Sequence, residues 1–302
     1  MNILLIGGSG FVSGTMARTA LEAGHRVWAL SRGNKPLVPG AAALRADRDN
    51  HAAFENVVRA AGTRWDLAVD CIGYEVAHAK QDIEVLRDRV RQLVFISTDF
   101  VFDPDHRRLP RTEEHPCIEG ESYGAKKRAC ELELANGDTG DMAWTVLRPC
   151  HIYGPGSRLG CLPLHSRDPE LLATLEARRP LKLVGGGHFL QQPLFARDLA
   201  TLVLSCAENP RTRGQTYVAP GPDTIESREY YRIIAEILGV PLEVQEFAVD
   251  AYLRNHPEAA PFLCHRIYGR TKLLEHGLSA PGTPIEQGLR QHVEAWRASA
   301  GP

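Results

Sequence analysis

The sequence has little net charge, no long apolar run and no paired cysteine motif. With a formal net charge of −2 at pH 7, it is not expected to bind nucleic acid or an anionic membrane surface. No stretch approaches the roughly 18 consecutive apolar residues of a membrane-spanning helix, and the apolar run at residues 3–6 lacks the basic flank of a secretory signal. The seven cysteines are scattered without CxxC spacing, as is typical of reduced thiols. We therefore expect a cytoplasmic protein.

What is present is an alternation of strand and helix patterns over the first 150 residues. Short apolar runs predict buried strands at residues 2–6, 26–30, 67–72, 93–97 and 143–147. Helical spacing of apolar residues predicts helices at residues 15–23, 52–61, 76–88 and 124–134. Alternating βα units with right-handed crossovers form a doubly wound parallel sheet. We therefore predict an α/β protein with a Rossmann dinucleotide-binding domain over residues 1–155.

The pattern loosens after Tyr153, where prolines and glycines cluster. A strand is predicted at residues 181–184, and helices are predicted at residues 169–177, 198–208, 228–238 and 284–297. We expect residues 156–302 to form mainly a smaller C-terminal substrate-binding lobe. Strands or helices from about residues 180–220 are expected to return to the first domain.

A glycine-rich turn, GGSG at residues 7–10, follows the first predicted strand and opens the first helix. Glycines there allow a tight turn and a close approach of the backbone to a pyrophosphate, which the helix N-terminus stabilises. A glycine cluster alone is often only a turn. The order of strand, turn, helix and second strand favours a dinucleotide site.

The end of the second predicted strand bears on the choice of cofactor. NAD-specific Rossmann sites have an acidic residue there that bonds the ribose 2′-hydroxyl, but this sequence has Ser31 and Arg32. An arginine fork can instead grip a 2′-phosphate, although a solvated loop arginine is the plainer alternative. We therefore expect NADP(H) to be preferred, with NAD(H) as the other cofactor open to this site.

A tyrosine and a lysine four residues apart, Tyr123 and Lys127, lie on one face of a predicted helix. An ammonium about 4 Å from a phenol favours the phenolate by on the order of 4 kcal/mol at an effective dielectric near 20. Such a tyrosine can exchange a proton with a substrate hydroxyl or carbonyl. The YxxxK spacing alone occurs often by chance, so its weight depends on the motifs around it.

Taken in order, these motifs resemble the extended short-chain dehydrogenase/reductases of the NAD-dependent epimerase/dehydratase family. The glycine turn resembles their GxxGxxG motif, with Ser13 at the third glycine position. Residues 147–156 (LRPCHIYGPG) resemble their RPxxxYGPG segment, and residues 198–200 (DLA) their later helix start. Within the group, residues 97–102 (STDFVF) are similar to the dTDP-4-dehydrorhamnose reductases. SRGN at residues 31–34 and YGAKKRACE at residues 123–131 are similar to the atypical members related to chloroplast stem-loop-binding protein.

The resemblance implies a role for each matching position. Thr98 would bond the reacting oxygen, and Lys127 would also reach the nicotinamide ribose. The implied catalytic set is Thr98, Tyr123, Lys127 and Asp99. The implied cofactor contacts are Gly7, Gly10, Phe11, Val12, Ser31, Arg32, Asp47, Arg48, Cys71, Ile72, Gly73, Tyr123, Lys127, Pro149 and Ile152. The implied substrate contacts are Tyr74, Thr98, His151 and Gln191. No metal site is expected, since no histidine has a partner at ligand spacing.

The residue after Asp99 bears on which reaction of the family this protein catalyses. Dehydratases carry Thr-Asp-Glu there, whereas this sequence has Phe100, which cannot remove a proton. Asp99 remains a candidate general acid. A preference for NADP(H) fits a net reduction better than the recycled NAD of an epimerase. We therefore predict a ketoreductase that acts on a small polar substrate, a sugar or nucleotide-sugar, with an epimerase as the alternative.

Two substrate positions depart from the family pattern. His151 stands where asparagine is common, and Gln191 stands where an arginine meets a diphosphate. His265, Arg266 and Arg270 are candidates to supply that charge. The non-enzyme alternatives are an RNA-associated protein, which the small net charge disfavours, and an NADP sensor, which the complete set of Thr98, Tyr123 and Lys127 disfavours. A small-molecule substrate is the expected partner, and a homodimer is left open.

Overall fold

The structure is a computed structural model that describes residues 1–300. The strands, in chain order, are β1 Asn2–Ile6, β2 Arg26–Ser31, β3 Ala42–Arg45, β4 Trp65–Asp70, β5 Val90–Ile96, β6 Ala143–Pro149, β7 Ile152–Tyr153, β8 Leu181–Val184, β9 Leu190–Gln191, β10 Leu194–Phe195, β11 Gln215–Ala219, β12 Ile225–Glu226 and β13 Val244–Phe247. The α-helices are α1 Phe11–Glu22, α2 His51–Ala60, α3 Val76–Leu86, α4 Tyr123–Asn136, α5 Leu171–Glu176, α6 Ala196–Glu208, α7 Ser227–Leu238, α8 Val249–Asn255, α9 Thr271–Glu275 and α10 Ile285–Ala300.

A seven-stranded parallel sheet with the order β11-β6-β5-β4-β1-β2-β3 carries the site. From β1 the chain builds outward through β2 and β3, and then returns to add β4, β5 and β6 on the other side. The order therefore reverses between β1 and β4, and ligands of doubly wound sheets bind beyond the carboxyl ends of the strands at such a point. This confirms the predicted α/β Rossmann fold.

The first core explains why these segments form strands and helices. Strand β1 is buried at its last four residues, as expected of a strand covered on both faces. Strands β2, β4, β5 and β6 bury Leu30, Trp65, Phe95 and Val146, respectively, in the same cluster as Phe54 of α2. Each large apolar side chain removed from water in this way contributes about 1.5–3 kcal/mol.

The chain divides into two compact units. The first comprises Met1–Pro149, Arg197–Ala219 and Arg270–Ala280, and the second comprises Cys150–Ala196, Pro220–Gly269 and Pro281–Pro302. The sequence had placed the first boundary at residue 155 and the returning segment at about 180–220. The return at residues 270–280 was not predicted. Its reason is local, because α9 packs beside β11 and the Tyr217 hydroxyl is 2.6 Å from His276 Nδ1.

The second unit has its own core. Tyr230, Tyr231 and Ile234 of α7 pack with Leu289 of α10 and with Leu181 of β8. Strands β8 and β13 pair in parallel, while β9 and β12 pair antiparallel. Within residues 1–300, none of the helices combines the length and the apolar character that a membrane span requires.

Candidate active site

The glycine turn beyond β1 is required by close packing. Gly7 has φ +87°, and a Cβ atom there would lie 2.5 Å from Cγ2 of Ile72. A Cβ on Gly8 would lie 2.5 Å from that of Ala29. Ser13, at the position where the family motif has a third glycine, donates its hydroxyl to Gly7 O at 2.7 Å and accepts from Gly10 N at 3.0 Å. The serine therefore closes the turn with hydrogen bonds.

A cleft of about 350 Å³ lies beyond the carboxyl ends of β1 and β2 in the first unit. It brings together seven of the sequence-predicted cofactor residues: Gly7, Gly10, Ser31, Arg32, Asp47, Arg48 and Ile72. Tyr74, a predicted substrate contact, also lines it. The described lining does not include the other predicted cofactor residues, namely Phe11, Val12, Cys71, Gly73, Tyr123, Lys127, Pro149 and Ile152.

The side chain of Arg48 has buried partners. Arg48 is among the residues that line the cleft, and its side chain is almost fully buried. The guanidinium bonds Asp70 at 2.8 Å and Asp82 at 2.6 Å. Arg48 stays a predicted cofactor contact, and these two carboxyl groups hold its guanidinium in place. The sequence did not reveal this arrangement, because Asp70 and Asp82 meet Arg48 only when distant segments come together.

A cationic edge adjoins the cleft where β2 ends. Ser31 Oγ accepts from Gly33 N at 3.3 Å and so shapes the turn that carries the exposed Arg32. A smaller cavity of about 210 Å³ opens beside this turn, and Lys35 and Arg45 are among the residues that line it. Gly33 has φ +84°, and a Cβ there would be 3.1 Å from Arg45 Nε, so the Arg45 side chain lies against the turn. Among the described residues lining this cavity there is no carboxylate.

The turn after β5 and the start of α4 are pressed together. Thr98 begins a 3-10 turn, and its hydroxyl accepts from Phe100 N at 3.3 Å. A Cβ on Gly124 would lie 2.0 Å from Phe100 O, so only glycine lets α4 start this close. Tyr123, the first residue of α4, is about half exposed. The packing of these two segments places Tyr123 beside the turn that carries Thr98 and Asp99.

Aromatic rings surround Tyr123. The ring centroid of Phe100 is 6.2 Å from that of Tyr123, and the ring of Tyr74 is 6.4 Å away. Thr98 and Asp99 are both buried. The Tyr123 ring therefore lies half exposed beside two aromatic neighbours.

Lys127 is fully buried. Its ammonium donates to Gly73 O at 2.9 Å and to Ile96 O at 2.5 Å, and it lies 4.2 Å from the ring centroid of Phe95. Burial lowers the pKa of Lys127, and the charge of Asp70 opposes that shift. The sequence predicts an attraction between the Lys127 ammonium and the phenol of Tyr123. The structure adds that two backbone carbonyls hold the ammonium.

A second buried network joins β5, α4 and β6, and the sequence reasoning missed it. Glu131 accepts from Ser97 Oγ at 2.6 Å and from two nitrogens of Arg148 at 3.0 and 2.8 Å. Burial would raise the pKa of Glu131, but the hydrogen bond and charge of Arg148 bring it below its ordinary value. Glu131 is the last residue of YGAKKRACE and Arg148 is the second residue of LRPCHIYGPG, so their place in those motifs was the available signal.

The remaining predicted substrate residues belong to the second unit. His151 is half-buried, and its carbonyl accepts from Leu194 N at 2.8 Å. Gln191 is buried in β9, with no hydrogen-bond partner for Nε2 among the described residues. Arg266, also buried, donates its backbone N–H to Leu190 O at 2.8 Å, which brings it to the strand that carries Gln191. In the described chain, no cluster of three or more histidine, cysteine, aspartate or glutamate side chains has the geometry of a metal site.

Comparison with known families agrees with this geometry. The model of the NAD dependent epimerase/dehydratase family matches residues 3–219, which is more than half of the chain. The protein therefore belongs to that family. It is an NAD(P)-dependent enzyme of the short-chain dehydrogenase/reductase type.

Individual relatives are distant. The chain is 23% identical over 304 residues to chloroplast stem-loop binding protein of 41 kDa b from Arabidopsis thaliana, covering 95% of this chain and 77% of that one. It is 26% identical to 2-alkyl-3-oxoalkanoate reductase from Stenotrophomonas maltophilia, covering 96% of this chain and 98% of that one. The solved structure of UDP-glucose 4-epimerase from Thermotoga maritima matches with a TM-score of 0.80 at 18% identity, covering 100% of both chains. That last likeness is one of fold.

Proposed function

We propose that this protein is an NADP(H)-dependent ketoreductase acting on a keto or hydroxyl group of a small polar substrate, of the sugar or nucleotide-sugar class. The observation that carries the proposal is the end of β2, where Ser31 and Arg32 replace the carboxylate of an NAD-specific site. Lys35 and Arg45 add further positive charge around the neighbouring cavity. A 2′-phosphate needs such cationic partners.

The glycine turn fits a dinucleotide, because side chains at Gly7 and Gly8 would collide with Ile72 and Ala29. Gly7, Gly10, Ser31 and Arg32 would hold its phosphates and adenosine ribose. A bound nicotinamide cofactor would supply the hydride. The protein's own part is acid–base chemistry, which typically contributes about 100- to 10,000-fold in rate.

In this reading, Tyr123 donates a proton to the substrate oxygen and Thr98 donates a hydrogen bond to the same oxygen. Lys127 presents a fixed positive charge near the start of α4. Phe100 occupies the place of a dehydratase base and cannot remove a proton, so elimination of water is disfavoured. The name of the Stenotrophomonas relative, a reductase of an oxo acid, supports a net reduction.

The second candidate is a nucleotide-sugar epimerase, which family membership favours. Gln191 is neutral and cannot balance a diphosphate. Arg266, beside strand β9, is the cation that would balance the diphosphate charge. His151 remains a proposed substrate contact in either case.

The test follows NADPH oxidation with a panel of keto-sugars and 3-oxo acids, alongside exchange of nucleotide-sugar epimers. A ketoreductase consumes NADPH in proportion to product, and Tyr123→Phe should lower turnover by about 100-fold or more. Interconversion of epimers without net NADPH loss would establish the epimerase instead. Tyr123→Phe turnover equal to wild type would remove Tyr123 from the mechanism.

A further inference from the structure

A buried ionic cluster lies in the first unit beside the proposed catalytic lysine. Arg48 Nη1 bonds Asp70 at 2.8 Å, and Nη2 bonds Asp82 at 2.6 Å. Gln81 accepts from Arg48 Nε at 3.2 Å and donates to Arg48 O at 2.8 Å. Asp70 and Asp82 are both fully buried. One guanidinium therefore serves two carboxyl groups in a place that water does not reach.

The pKa values of the two carboxyl groups are shifted in opposite directions. Burial would raise the pKa of Asp70, but the charge of Arg48 lowers it below its ordinary value. Burial raises the pKa of Asp82 well above its ordinary value, and the charge of Asp70 adds to that shift while Arg48 opposes it. Two carboxylates this close cannot both ionise readily. Asp70 is therefore the carboxyl group of the pair that favours the anion.

Asp70 is linked to Lys127 by a single turn of chain. As the last residue of β4, it accepts from Ile72 N at 2.8 Å through Oδ1. A Cβ on Gly73 would lie 2.3 Å from Asp70 Oδ2, so the next glycine packs directly on the carboxylate. The carbonyl of that same Gly73 accepts from Lys127 Nζ at 2.9 Å. The position of the lysine thus depends on a turn that the carboxylate holds.

Asp70 supplies the countercharge of Lys127, because the other acidic groups around the lysine are neutral or paired elsewhere. The thiols of Cys71 and Cys130 are neutral, because burial raises the pKa of each to about 12. Glu131, on the same helix, is committed to Arg148 and Arg128. Lys127 also donates to the carbonyls of Gly73 and Ile96 and lies over the rings of Phe95 and Tyr74. On the far side of Asp70, Arg48 competes for the same negative charge.

We infer that Asp70 is a positioning residue for Lys127, which fixes the Cys71–Gly73 turn and provides the buried countercharge that keeps the lysine ammonium in place. Arg48, which also binds Asp82, holds Asp70 in turn. The inference rests on the proposed catalytic role of Lys127, but it concerns Asp70, which was not among the predicted site residues.

The two aspartates provide a matched pair of variants. Asp82 binds Arg48, whereas Asp70 binds the Cys71–Gly73 turn, so Asp82→Asn should leave the pH–rate profile unchanged. Asp70→Asn removes the carboxylate whose charge raises the pKa of Lys127, so Lys127 should lose its proton at lower pH. The alkaline limb of kcat/KM should move about one pH unit downward, with binding of ADP to the cofactor cleft unchanged. The inference would be overturned if the alkaline limb of kcat/KM moved equally in Asp70→Asn and Asp82→Asn, or if it moved in neither variant.

Thermal unfolding gives a readout that needs no activity. Asp70→Asn removes the carboxylate whose charge opposes the desolvation of the buried Lys127, so replacing Lys127 by Met in that background should recover part of the lost melting temperature. In the wild-type background Lys127→Met should not raise it. Strictly additive effects would show that Asp70 and Lys127 are uncoupled. If the coupling is found but no substrate is reduced, the proposed function fails and the positioning role stands.

Discussion

At the residue scale, the proposed preference for NADP(H) depends on few side chains. Arg32 follows β2 directly, and Arg45 lies opposite Ser31 in the register of β2 and β3. The sequence pointed to Arg32 because it occupies a motif position. It did not point to Arg45, because this strand residue lies 14 positions after Ser31 and becomes its neighbour only once the strands pair.

We predict that Arg32→Ala and Arg45→Ala each weaken NADPH binding and leave NADH binding unchanged. A hydrogen bond to a charged group contributes enough for about a 10-fold loss or more. Fluorescence titration with both cofactors measures it. Arg26→Ala is the control, since Arg26 begins the same strand at its other end and stacks over Trp28. Equal wild-type affinities for NADPH and NADH would show that both arginines are ordinary surface residues.

At the scale of elements, the Glu131–Arg148 pair joins α4 to the end of β6. Removing one partner of a buried ion pair leaves the other uncompensated, so Glu131→Gln should lower the free energy of unfolding by about 3 kcal/mol near neutral pH. The folded-state pKa of Glu131 is depressed, so this stability is present above its unfolded pKa and is lost as the pH falls through the lower folded value.

Wild type and Glu131→Gln should therefore converge in stability as the pH falls below about 4.3. Denaturant unfolding at neutral and acidic pH measures the gap, and Glu133→Gln on the same helix is the matched control. A gap that stays constant with pH would mean that the carboxylate charge contributes nothing.

Most elements of the first 150 residues were predictable, because strands such as β1, β4 and β5 are buried apolar runs. Strand β3 was not among the predicted ranges, because it is short and only Leu44 in it is buried. The predicted strand at residues 181–184 matches β8, and the helix predicted at residues 124–134 lies within α4. The sequence did not predict strands β11 and β13, because a short strand flanked by polar residues shows no recognisable hydrophobic periodicity. For the site, the motif positions were accessible, whereas Asp70, Asp82 and Arg45 became visible only when distant segments met.

At the scale of the whole molecule, the cofactor cleft is lined by residues of the first unit alone. We predict that NADP⁺ at 100 times its Kd raises the free energy of unfolding by about 2.7 kcal/mol. Amide hydrogen exchange should slow chiefly at the glycine turn and at the turn after β2. Protection confined to the second unit would contradict the placement of the cleft.

Strand β11 also bears on how the protein is made. A nascent chain that has emerged only through Pro149 contains six of the seven strands and leaves β6 as an unpaired edge. That edge remains open until Ala219 is synthesised, and an exposed strand edge is a template for pairing with other chains. Strands β6 and β11 are far apart in the sequence, so their pairing is a long-range contact. Long-range contacts slow folding. Fragments ending near residue 149 should therefore aggregate, and a stable minimal first unit must carry its own copy of Gln215–Ala219.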